Sequence, residues 1–199
     1  WSKGRRLPAG YLGPIRSKPA TIGNRLLCGS STEHDGWRVH MEWTDFSAER
    51  WEKVGPLESK PRMFDAIQPT ILIHAGDRVQ ILCRTRQGVV AEAWSNDGGK
   101  TWSPLTAATL PNPNAGIDAI RVADGRFLLV YNHTTSGRSP LNVATSHDGV
   151  RWVPSVALEN QPGEYSYPAV IQTQDGNVHV TYTWRRERIK HVVLDPTRL

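Results

Sequence analysis

The sequence predicts an all-β chain of β-propeller blades, each built from four short antiparallel strands. Three observations predict it. Tryptophans recur at positions 1, 51, 102 and 152, so successive steps are 50, 51 and 50 residues. A second marker, Pro19, Pro69, Asp118 and Pro168, keeps the same step, and each of these residues opens an apolar stretch. Finally, Gly supplies 17 residues and Pro 14, a density of turn formers that disfavours long helices. Self-similarity at this period is the signature of a repeat architecture, and four strands in 40–50 residues is the size of a propeller blade.

The elements follow in order within each repeat. Opening strands are expected at 19–22, 69–73, 118–122 and 168–172. Each is followed by a turn dipeptide of the kind that joins adjacent antiparallel strands: Gly23-Asn24, Gly76-Asp77, Asp124-Gly125 and Asp175-Gly176. Second strands are expected at 26–28, 79–83, 127–131 and 178–182, and third strands at 37–43, 89–94, 141–145 and 189–194. A Trp-bearing turn and a fourth strand complete each unit. No window carries a 3.6-residue apolar period. The chain reads as one domain over 1–199, in repeats of about 1–51, 52–102, 103–152 and 153–199.

Composition narrows the partners. The formal charge is +5 and the pI about 9.5, a balance that favours anionic ligands. The dense basic patches, Arg5 with Arg6 and Arg185, Arg186 and Arg188, are not interleaved with a nucleic-acid-binding signature, so a solvated rim explains them and no nucleic-acid partner is expected. No run of about 18 apolar residues predicts a membrane span. Cys28 and Cys83 form neither a disulfide framework nor a metal spacing and read as ordinary thiols. His34-Asp35 and His40 with Glu42 lack a ligand frame, so neither metal nor cofactor is expected.

Between third and fourth strands, Ser95-Asn96-Asp97-Gly98-Gly99-Lys100-Thr101-Trp102 fits Ser-x-Asp-x-Gly-x-Thr-Trp, and 146–152 is a copy one residue shorter. The chemistry is structural: the Asp carboxylate accepts bonds across the turn, Gly allows positive φ, and Trp packs between sheets. Trp51, Trp102 and Trp152 are therefore expected to be largely buried.

These boxes resemble the Asp-box, or BNR, repeats of the sialidase (neuraminidase) superfamily. Phrases similar to its predicted-neuraminidase branch run through the chain: Leu12-Gly13-Pro14-Ile15, Cys28-Gly29-Ser30-Ser31-Thr32-Glu33, Leu110-Pro111-Asn112-Pro113-Asn114 and Tyr165-Ser166-Tyr167-Pro168. The resemblance implies a six-bladed parent of which this chain is the C-terminal portion, able to self-associate or to pair with missing N-terminal blades. The segment 1–7 offers the contrary route, a fourth strand for the last blade that would close a ring of four. The resemblance also implies exo-sialidase-type hydrolysis of a terminal acidic sugar, with three arginines on the substrate carboxylate and a Tyr nucleophile activated by a Glu. Guanidinium forks suit a carboxylate better than Lys does.

Carried over, Arg84 resembles the second arginine, Arg138 the third, and Tyr165 the nucleophile; the three are expected to converge on one cleft. Gln68 stands where the family offers the activating Glu, so either Glu33, Asp65 or Asp118 acts as base or the mechanism differs. Arg16 and Lys18 could supply the positive charge of the absent first arginine. Loops after the second strands add His133. Two other readings stay open: a non-catalytic carbohydrate-binding propeller, and a lyase or glycosidase acting on uronate-rich glycans.

Overall fold

The computed structural model describes residue 1 and residues 3–59 and 63–199. Fifteen strands form four antiparallel sheets arranged as propeller blades, each ordered from the inside outward. The first sheet holds β1 (Ala20–Ile22), β2 (Arg25–Thr32), β3 (Arg38–Asp45) and β4 (Trp51–Val54). The second holds β5 (Ala66–Ile73), β6 (Val79–Thr85), β7 (Val89–Ser95) and β8 (Thr106–Pro111). The third holds β9 (Asp118–Arg121), β10 (Phe127–Tyr131), β11 (Leu141–Ser146) and β12 (Val153–Glu159). The fourth has three strands, β13 (Tyr165–Gln172), β14 (Val178–Trp184) and β15 (Arg188–Leu194). Among the described residues no helix is long and apolar enough to cross a membrane.

The nearly unbroken apolar runs of the second strands have a simple cause: both faces of the inner sheets are covered. In β10, Phe127, Leu129 and Tyr131 pack toward the second sheet with Leu72, Leu82 and Val90, while Leu128 and Val130 pack toward the fourth with Val170, Val178 and Val180. The same alternation in β6 sends Val79, Ile81 and Cys83 against Leu27, Val39, Met41 and Trp43 of the first sheet. Both cysteines are buried free thiols, and burial pushes each of them above its usual thiol range.

The outer faces of the arc differ from each other. The first sheet is overlaid by the chain ahead of β1, where Leu12 N and Gly13 N donate to the buried Glu42 carboxylate at 3.0 and 2.7 Å. Burial pushes that carboxylate up, but bonds from His40, Gly13 and Leu12 hold it below its ordinary range. The N-terminal stretch gives the last sheet no fourth strand. It follows the first instead: Arg5 bonds Ser47 O and Tyr11 Oη donates to Trp51 O at 2.8 Å. On the fourth sheet Ile171, Ile189 and Val193 are exposed.

The Asp boxes are turn locks. Asp97 accepts from Lys100 N and Thr101 N at 3.0 and 2.9 Å, and Asp148 from Val150 N and Arg151 N at 2.8 and 2.7 Å. Trp51, Trp102 and Trp152 are half-buried, not largely buried. Each bonds its indole N–H to the carbonyl three residues back, Ala48, Gly99 and Gly149, at 3.1, 2.9 and 2.9 Å. The ring thus covers its own turn, and Trp102 and Trp152 also flank the edge of a core. The deeply buried tryptophans are Trp37 and Trp43. Trp43 Nε1 reaches across to Gly99 O at 3.1 Å, and Gln80 Nε2 reaches Gly149 O at 2.9 Å. One carbonyl in each box therefore accepts from its own blade and from the blade before.

Candidate functional site

Inner strands of all four sheets begin at the end of the propeller opposite the Asp boxes, because three antiparallel strands separate the two. Ahead of or within each inner strand stands one non-glycine residue with left-handed backbone: Arg16 (φ 68°), Gln68 (φ 57°), Asn114 (φ 58°) and Tyr167 (φ 54°). Such conformations are costly for residues with a Cβ and concentrate where the surroundings over-determine them.

These four residues meet. Arg16 crosses the mouth from the first blade, bonding Ile117 O of the third and Pro168 O of the fourth, the latter at 2.6 Å, with its guanidinium 5.8 Å from the Tyr167 ring centroid. Arg84, 8 % exposed, donates through Nε and Nη2 to Asn114 Oδ1 at 3.1 and 2.8 Å and through Nη1 to Gln68 Oε1 at 3.2 Å. Arg138 donates to Pro113 O and Asn114 O at 2.7 and 2.8 Å. Asn114 is thus shared by two arginines. Its loop is stiffened by the buried Asn112, which bonds both N–H and C=O of Ala115. Trp37, which sequence reasoning did not single out, lies under Arg84 and Arg86 at 5.1 and 4.2 Å.

The electrostatics follow from the acceptors. Arg16, Arg84 and Arg138 bond only neutral amide and carbonyl oxygens, and among the described residues none is in an ion pair. Their charges are oriented by neutral acceptors, with Asp118 and Glu164 acting on Arg16 and Arg138 from a distance. Burial pushes the Arg16 guanidinium below its usual range, Asp118 pulls it back, and Arg84 pushes it down further. Burial and then Arg84 likewise lower Arg138. Both remain cations near neutral pH.

The other residues expected at the site lie elsewhere. Tyr165 does not join the arginines: it is 1 % exposed, packed in the apolar core between third and fourth sheets, and only its main-chain N meets Arg138 O, at 3.3 Å. The exposed phenol is Tyr167, at 52 %. A bulge between Ser166 and Ala169 removes Tyr167 from the ladder; the same bulge between Ile67 and Thr70 does this for Gln68. Aligning Pro69 with Pro168 sets Gln68 opposite Tyr167, which is the sequence signal for this residue.

Asp118 and Lys18 sit further along the inner strands as a hub. Asp118, 4 % exposed, accepts from Lys18 Nζ at 2.8 Å, Thr70 Oγ1 at 2.9 Å, Val170 N at 2.9 Å and Ala119 N at 3.0 Å, one partner from each blade. Every oxygen of Asp118 is occupied by the fold. Asp65 is held by Gln87 at 3.2 Å, and Glu33 lines a cleft of about 750 Å³ with Tyr11, His34, Arg38 and His40. His133 is exposed and bonded to Tyr131 Oη. Among the described residues no cluster of His, Cys, Asp or Glu could hold a metal ion.

A model of the BNR repeat-like domain matches residues 1–180. The chain belongs to the BNR repeat-like domain family. Solved structures similar to this BNR domain include the K499G mutant of NanB sialidase from Streptococcus pneumoniae (18 % identity, TM-score 0.74), over 91 % of this chain and 30 % of that one. The intramolecular trans-sialidase of Ruminococcus gnavus, solved with oseltamivir carboxylate, matches 91 % of this chain and 43 % of its own at 19 % identity and TM-score 0.72. A protein of unknown function from Dyadobacter fermentans matches 97 % and 60 %, at 18 % identity and TM-score 0.77. The domain therefore spans less than two thirds of each of these chains, and at such identities the likeness is one of fold. No curated protein sequence matches.

Proposed function

We propose that this BNR propeller recognises the carboxylate of a terminal acidic sugar, and that within its full-length protein it serves a glycoside hydrolase of the exo-sialidase type. One observation carries the reading: three guanidinium groups, Arg16, Arg84 and Arg138, converge at one mouth, each hydrogen-bonded to neutral oxygens and, among the described residues, in no ion pair, with Asp118 and Glu164 acting on Arg16 and Arg138 only at a distance. A partly desolvated site with three cations that form no ion pair favours an anion, and forked donors favour a planar carboxylate. The exposed phenol of Tyr167 beside Arg16 is the tyrosine presented to the sugar. Glu164, which opens the same blade and is held by Arg186 at 2.6 Å, is the carboxylate nearest in sequence.

Gln68 favours a second reading. An amide cannot take a proton from a phenol, and this one is committed to Arg84. A non-catalytic acidic-sugar-binding propeller needs only the arginines. Fold alone does not choose between the two.

The test measures release of 4-methylumbelliferone from its sialoside, uronide and rhamnoside, alongside calorimetric binding of the free acids. Binding with turnover abolished in Tyr167→Phe and retained in Tyr165→Phe supports the hydrolase. Binding without turnover supports the lectin-like reading. Absence of any carboxylate-dependent binding would falsify both.

A further inference from the structure

The connection between β14 and β15 is built against turn chemistry. Arg185 and Arg186 both adopt left-handed backbone, φ 52° and 58°, and Glu187 N donates to Trp184 O at 3.0 Å to close the turn. Turns with left-handed residues at both central positions select Asn-Gly or Gly-Gly, because a Cβ there crowds the neighbouring carbonyl. Two arginines in succession are a poor choice for folding. Backbone held against its preference marks positions fixed by another requirement.

The hairpin abuts the mouth of the channel. Arg186 Nε lies 2.6 Å from Glu164 Oε2, and Arg185 N donates to Glu164 O at 2.7 Å. Glu164 pairs through its backbone with Arg138, so the hairpin tip and a channel arginine flank the same residue. Arg186 and Tyr167 also lie within electrostatic reach of Arg138. On the outer side, Arg185 and Arg188 each stack on the Trp184 ring, 4.7 Å from its centroid. Arg188 faces only Glu187, at 3.5 Å, and the side chains of Arg186 and Arg188 are 77 % and 67 % exposed. Arg185 Nη2 donates weakly to Pro162 O at 3.4 Å, and stacking on the indole holds both guanidinium groups in place with further N–H donors directed away from the ring for an anion.

We propose that this hairpin is a second anion subsite continuous with the channel. The ligand is then a carboxylated oligosaccharide with at least two acidic residues: the terminal one enters the channel and the next meets Arg185 and Arg188. This rests on the acidic-sugar reading of the channel and adds a chain-length requirement to it. Oligosialosides and oligouronides share the chemistry, and the assay separates them.

The informative variant is Arg185→Asn, which suits the left-handed backbone and removes one stacked charge while leaving the Arg186–Glu164 pair in place. Arg188→Gln, outside the turn, is the second variant. Calorimetry compares α2,8-linked trisialic acid and trigalacturonate with their monomers at low and high salt. The wild-type protein should bind one trimer roughly tenfold tighter than its monomer, an increment that shrinks with salt. Both variants should lose most of that increment and keep the monomer affinity, and Arg185→Asn should melt no lower than wild type. Equal trimer affinities in wild type and variants would overturn the subsite, as would a wild type that binds monomer and trimer alike. A single-stranded DNA oligonucleotide weakened as much as the trimer would replace the glycan assignment with a general polyanion patch. Failure of wild type to bind any monomer or trimer would overturn the channel reading, and the subsite with it.

Discussion

Replacing Gly99 by Ala tests the contact between neighbouring blades more sharply than any other single change. Gly99 has φ +89°, and a Cβ there would stand 2.9 Å from Trp43 Cζ2 and 3.1 Å from Leu27 Cδ2. Neither neighbour is a flexible tip: Trp43 is 3 % exposed, Leu27 is fully buried, and the Trp43 indole is bonded to Gly99 O. Left-handed backbone with a side chain costs about 1–2 kcal/mol, and overpacking a close-packed interface about 1–3 kcal/mol more. The control is Gly176→Ala, with φ +85° and nothing within 4 Å, which meets the backbone cost alone. Urea unfolding followed by tryptophan fluorescence and circular dichroism should then place Gly99→Ala about 1–3 kcal/mol below the control. On heating, that gap corresponds to roughly 2–12 °C for a chain of this size. A Gly99→Ala protein as stable as the Gly176→Ala control would refute the claim that the Asp-box turn is seated on the preceding blade.

Three further outcomes are expected. Asp118→Ala removes the carboxylate that Lys18, Thr70 Oγ1 and the buried Val170 N all bond, while Ala119 N keeps Thr70 Oγ1 and Lys18 keeps Ala119 O, so it should lower unfolding stability by about 1–3 kcal/mol in urea titrations. Asn114→Asp keeps an acceptor for Arg84 but adds a negative charge beside it; calorimetry should show acidic-sugar affinity falling at least roughly tenfold while the melting temperature holds, whereas Asn114→Ala should lose both orientation and some stability. Asp97 is pushed up by burial but held at about 2 by bonds from Thr101, Ser95 and Lys100, against an ordinary 3.8. A depressed carboxylate stabilises the fold above its unfolded value and loses that contribution as pH falls through the folded one. The stability gap between wild type and Asp97→Asn should therefore close between about pH 4 and pH 2, read by denaturation at stepped pH.

Much of this architecture could be read from the chain because it is local and repeated. Two markers in phase gave four sheets, and the turn dipeptides after the opening strands gave the strand order. What escaped was non-local or broke the period. Repetition of Trp51, Trp102 and Trp152 reflects bonding to the box carbonyl, so recurrence did not mean burial; the buried Trp43 is not one of the periodic set. A bulge reverses which side of a strand faces the channel, and so the phenol at the mouth is Tyr167 while Tyr165 supports the core. Arg16, Gln68, Arg84 and Arg138 were singled out by their residue types and strand-end positions, and they do meet. The acceptor that joins two of them, Asn114, lies in a loop between blades, where no strand pattern points to it.

The shared carbonyls give the propeller a direction. Trp43 waits for Gly99 O, and Gln80 waits for Gly149 O; in both cases the donor precedes its acceptor in the chain by a whole blade. As the polypeptide leaves the ribosome, each new turn therefore emerges when the surface that will receive it has already been made. Growth from the other end would present every box to a partner not yet synthesised. The repeat thus encodes an order of assembly as well as a shape, with each blade acting as the template on which its successor closes.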